Sequence, residues 1–95
     1  MFIVLLKFSE NKSQAGNFMQ AHKNWIQQGY DDGIFLLVGS LQPALGGGIL
    51  VHNIEREDLH KRINNDPFVE QNIVSAEVIE ISPNSADERL NFLMA

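Results

Sequence analysis

The chain reads as an α+β fold in the order β-α-β-β-α-β. Three observations predict it. Four short runs rich in Phe, Ile, Val and Leu are bounded by polar or glycine-rich turns, as strands are. Two segments with apolar residues three and four apart lie between the first and second runs and between the third and fourth. The length, 95 residues, suits one domain and hardly two.

The first run is residues 2–8, FIVLLKF. It leads into a helix on which Ala15, Phe18, His22, Trp25 and Ile26 share a face, with Ser13 as the expected N-cap and Gly29 and Gly33 near its end. The second strand is expected at 34–38, IFLLV, closed by Gly39 and Ser40. The loop LQPALGGG follows, with its glycines expected as a flexible turn whose exposed N–H groups could touch an anion. The third strand is expected at 48–52 and the short second helix at 56–64, where Leu59 and Ile63 stand at i and i+4. Asp66, Pro67 and Phe68 break or restart that helix. The fourth strand is expected at 75–81. Residues 82–95 form a tail whose Leu90, Leu93 and Met94 are spaced for a weak helix. This order is the split βαβ, or ferredoxin-like, arrangement, with a four-stranded antiparallel sheet.

Side chains alternate across a strand. Phe2, Val4, Leu6 and Phe8 therefore oppose Ile3 and Leu5, and Ile34, Leu36 and Val38 oppose Phe35 and Leu37. Both faces of these strands are apolar, and two helices cover one face. The second face would expose several hundred Å² of hydrocarbon, more than a monomer usually tolerates. A homodimer joined through the sheet face is the expected remedy. A tail folded back as a lid is the competing one.

Composition narrows the function. Twelve acids and seven bases give a formal charge of −5, and the only adjacent basic pair is Lys61–Arg62. Nucleic acid is therefore not an expected partner, because phosphate binding needs clustered bases. The opening run carries Lys7 and is too short for a membrane span of about 20 apolar residues, so no membrane partner and a cytoplasmic location are expected. With no cysteine there is no disulfide, thiolate site or cysteine nucleophile. The three histidines show neither H-x-x-x-H nor H-E-x-x-H spacing, so no metal site is expected. The glycine run fits no nucleotide-binding pattern.

His22 is the first candidate for chemistry. It stands in the apolar stripe of the first helix, where an imidazole needs a polar partner. It is either a packed histidine with a structural hydrogen bond or a general acid/base, since an imidazole titrates near pH 6.5 and suits proton transfer at neutrality. Asp66 is its candidate partner. Before Pro67 an aspartate commonly caps a turn, yet a carboxylate bonded to one ring nitrogen would also fix the tautomer of the ring. Ser40 either ends a strand or binds substrate. It lies outside any G-x-S-x-G elbow.

The segments AHKNWI, GIFLLVGS, GGGILV, NNDPFV and AEVIEI occur in that order. Together they resemble the YciI-like (YCII-domain) family from Met1 to about residue 83. That resemblance implies a ferredoxin-like chain that dimerises through its sheets as a dimeric α+β barrel. It also implies a His–Asp site on His22 and Asp66, with Ser40 beside the pocket. At least one family member is similar to a dehydrochlorinase acting on a chlorinated hydroxyquinol. The LQPALGGG loop departs from some relatives in having no Arg or Lys.

The expected function is general acid/base catalysis by the His–Asp pair on a small cyclic or aromatic molecule, with elimination, dehydrochlorination or isomerisation as the reaction types. Trp25 and Phe68 would supply apolar walls and Ser40 a hydrogen bond. Such chemistry needs only proton transfer, so no cofactor is expected. The alternative is a non-catalytic metabolite-binding or stress-related dimer in which the pair is structural. A haem site with His22 as axial ligand is disfavoured by the scarcity of nearby bases for the propionates.

Overall fold

The computed structural model describes residues 1–94. Its elements are β1 (Phe2–Phe8), α1 (Ala15–Asp31), β2 (Phe35–Leu41), β3 (Gly46–Val51), α2 (Arg56–Asn64), α3 (Pro67–Glu70) and β4 (Val74–Glu80). The strands hydrogen-bond in the order β2-β3-β1-β4, and every neighbouring pair is antiparallel. This is the ferredoxin-like α+β fold that the strand and helix order predicts.

The core lies between the sheet and the helices. Phe2, Val4 and Leu6 of β1 are buried, as are Ile49 and Val51 of β3. They are joined by Leu59 and Ile63 of α2 and Phe68 of α3. Leu59 is 0% exposed, so Leu59→Ala removes contacts worth about 2–5 kcal/mol. The opposite face carries Leu37, Leu50, Ile3 and Ile79, which stand in register across all four strands. Leu37 is 54% and Ile79 40% exposed.

Two strands differ from their sequence expectation. β2 runs on through Gly39 and Ser40 to Leu41, and its register shifts between Phe35 and Leu37. Phe35 therefore faces Val51 while Val38 faces Ile49, both on the helix side. Strict alternation put these two side chains on opposite faces. A bulge adds one residue and reverses the phase beyond it. β3 begins at Gly46, so the three glycines are strand rather than flexible turn. Gly46 and Gly48 pair with both β1 and β2. Gly46 has φ +133°, and a Cβ there would lie 1.9 Å from the Leu6 carbonyl oxygen. Glycine is the residue that permits this backbone approach.

The entry to α1 also differs. Ser13 lies within a 3₁₀ turn, Lys12–Gln14, and the helix N-cap is Gln14, which makes no side-chain capping bond. The tail forms a 3₁₀ segment, Glu88–Met94. Leu90, Phe92 and Met94 remain exposed on it, so these side chains do not close over the sheet as a lid requires. The Phe92 ring meets His52 edge-on with centroids 5.5 Å apart.

Candidate active site

α2 ends with Asn65 as its C-cap, and Asp66 turns the chain into α3. Asp66 has φ −65° and ψ 123°, the extended conformation that a following proline imposes. Pro67 takes the first helical position, where its missing N–H costs nothing. The Asp66 Oδ1 accepts a hydrogen bond from the Phe68 N–H at 3.0 Å and so caps α3. The same oxygen lies 2.7 Å from His22 Nδ1. The turn-forming and ring-orienting geometries are thus met by one atom.

Asp66 is 0% exposed, and its Oδ2 has no hydrogen-bond partner among the described residues. The imidazole is fixed on a second side by Phe68. Their rings stack with centroids 3.9 Å apart and an interplanar angle of 1°. The His22 side chain is only 13% exposed. Edge and face are both held, which restrains the ring in position and tilt. Nδ1 is engaged by the carboxylate, and Nε2 is the ring nitrogen outside that contact.

A cavity of 340 Å³ opens between α1 and the sheet, and His22, Phe68 and Ser40 all line it. Small-molecule sites commonly span about 300–1,000 Å³. The walls are largely apolar, with Leu6, Phe8, Val38 and Ile49 on the sheet side. Ser40 sits opposite Gly47 in the β2–β3 ladder, on the helix side of the sheet. Gly47 is the floor. A Cβ built there meets only the Gly39 carbonyl oxygen at 3.5 Å, so a side chain at this position would project into open space.

Trp25 requires a correction. It is not a wall of this cavity. Its Nε1 donates to the Arg62 carbonyl oxygen at 2.9 Å, and it lines a second cleft with Asp32, Asp58 and Arg62. It packs edge-on against Phe35, at 5.1 Å between centroids. Three residues of α1 that sequence reasoning passed over do line the site: Met19, Lys23 and Ile26. They stand at −3, +1 and +4 from His22; helical spacing could have found Met19 and Ile26 once His22 was chosen, but not Lys23.

In the second cleft Arg62 Nη2 donates to Asp32 Oδ2 at 2.8 Å. The bond from Arg62, and then one from Gln28, hold the Asp32 carboxyl below its ordinary range.

The fold and cavity together define a ferredoxin-like α+β protein with a small-molecule-sized site. No family model matches the chain, and no curated protein matches it. Among solved structures it is similar to the 5-chloro-2-hydroxyhydroquinone dehydrochlorinase TftG from Burkholderia phenoliruptrix AC1100, in complex with 2,5-dihydroxybenzoquinone. The TM-score is 0.69 at 12% identity, over 85% of this chain and 93% of that one. At this identity the likeness speaks for the fold.

Proposed function

We propose that this protein is a small-molecule enzyme that uses His22 as general acid/base, oriented by Asp66. The observation that carries the reading is the 2.7 Å contact between His22 Nδ1 and Asp66 Oδ1 at the wall of an apolar cavity. Nε2 takes a proton from a substrate held in the cavity. The electron pair left behind expels a leaving group or shifts a double bond. Asp66 steadies the positive charge that develops on the ring, and the imidazolium then returns the proton to product or solvent. Ser40 binds a substrate oxygen, and Phe68 backs the imidazole.

A cyclic or aromatic substrate suits the apolar walls. Dehydrochlorination is the favoured reaction type because a dehydrochlorinase shares the fold. In that reaction the proton taken by His22 and the departing chloride leave together as HCl, so no external oxidant or reductant enters. The YciI-like family resemblance supports the same reading.

The proposal extends to a cytoplasmic homodimer joined through the open sheet face. The in-register row Leu37–Leu50–Ile3–Ile79 supports the joining surface. Light scattering should report two chains per particle, and a monomer at micromolar concentration contradicts the dimer.

The decisive assay is chloride release from 5-chloro-2-hydroxyhydroquinone and related chlorinated hydroquinones. His22→Ala should lower turnover by about 10²–10⁴-fold with the fold retained. Undiminished turnover in that variant contradicts the role of His22.

A second reading is favoured by the capping bond from the Phe68 N–H to Asp66. It makes the pair structural and the protein a metabolite-binding or stress-related dimer. A His22→Ala loss of about 2 kcal/mol or more, with no turnover in the wild type, would favour it.

A further inference from the structure

We infer that Lys23 makes the cavity selective for anions, so that the ligand is a small ring carrying one negatively charged oxygen group, a carboxylate, phenolate or enolate. This rests on the reading of the cavity as the substrate site and names the substrate class.

The protein as a whole is acidic, at −5. The cavity is not. Among the described residues no aspartate or glutamate lines it. Its polar side chains belong to His22, Ser40 and Lys23, of which Lys23 is exposed to solvent. Asp66 stands behind the ring, fully buried, with its Oδ1 taken by His22 and the Phe68 N–H. Lys23 is the next residue after His22 on α1, and among the described residues it forms no ion pair. Lys7, Arg56, Arg62 and Arg89 each have a carboxylate partner, and the Lys12 ammonium lies 4.7 Å from the centre of the Phe8 ring. Lys61 likewise forms no ion pair among the described residues, but it does not line the cavity.

An unpaired, exposed lysine beside a largely apolar cavity attracts an anion with the modest strength of an exposed ion pair. The glycine run does not supply this function. Gly46 and Gly48 are paired in the sheet on both sides, so their backbone groups serve the ladder. A lysine on the helix therefore does what the glycine loop was expected to do. The anion also suits the chemistry: a bound phenolate or carboxylate offsets the positive charge of Lys23 at the moment His22 becomes an imidazolium.

The test is equilibrium binding to the whole protein, followed by NMR titration with two probes of matched shape, benzoate and benzamide. Benzoate should bind at least about fivefold more tightly at low salt, the factor that an ion pair of this exposure supplies. Lys23→Met should remove the difference between the probes, and Lys23→Arg should keep most of it. Gly47→Val, which fills the floor, should abolish binding of benzoate and so place it in this cavity. Equal affinities for the two probes, an unaltered preference in Lys23→Met, benzoate binding that survives Gly47→Val, or no saturable benzoate binding would each overturn the inference. His22→Asn distinguishes this failure from failure of the enzymatic reading. That variant should retain the anion preference whether or not the wild type turns over any substrate.

Discussion

The two flanks of α1 hold two clefts that differ in kind. On one side His22 meets Asp66, whose carboxyl is wholly shielded from water. On the other Arg62 meets Asp32, and their side chains are 22% and 35% exposed. Both contacts are short and both pair an acid with a nitrogen base. Their energetic weights should differ because burial removes the competing water on one side only. A buried carboxylate that loses its partners cannot recover them from solvent, whereas an exposed one can. Contact distance alone would rank these pairs as equals, and burial ranks them.

Of the two clefts, the larger expected effect is at Asp66. Asp66→Ala removes the cap of α3 and the partner of His22 together, and should cost about 2–4 kcal/mol in urea unfolding. A loss below about 0.5 kcal/mol would show that this cleft is no more tightly held than the surface one. Asp66→Asn sharpens the point, since an amide can still accept from the Phe68 N–H. It should keep most of the stability while losing most of the activity proposed for the site.

The smallest expected effect is at Asp32. Because its carboxyl titrates below the ordinary range, mainly through the bond from Arg62, the ionised form is favoured in the folded state. Its contribution to stability is therefore present above an unfolded carboxylate value of ~3.9 and is lost as pH falls through the lower folded value. Asp32→Asn should be slightly less stable than wild type at pH 7. The difference should vanish as the solution is acidified past the folded-state value. A difference that grew on acidification would reverse the sign of this linkage.

Much of the fold was legible in the residues. The order of strands and helices along the chain followed from short apolar runs such as FIVLLKF bounded by polar turns and from the spacing of Leu59 and Ile63, patterns that local chemistry dictates. The bulge after Phe35 was not legible, because IFLLV is apolar at every position and gives no phase to read. The start of β3 was hidden for a related reason. Glycine reads as a turn, while here Gly46 serves a close approach to Leu6 that only the assembled sheet reveals. His22, Asp66, Phe68 and Ser40 could be nominated from residue type and setting. Trp25 was misplaced because a helical stripe broad enough to hold Phe18, His22 and Trp25 faces more than one neighbour. Lys23 was overlooked because a lysine on a helix ordinarily reads as a solvated surface residue.

The central claim is that Asp66 holds the His22 ring so that Nε2 is the working nitrogen. Long-range ¹⁵N–¹H correlation spectra recorded with the imidazole neutral test it directly. The Nδ1–H tautomer, with Nε2 unprotonated, is the predicted result, and its population should fall in Asp66→Ala. A predominant Nε2–H tautomer in the wild type, or a tautomer ratio unmoved by Asp66→Ala, would contradict it.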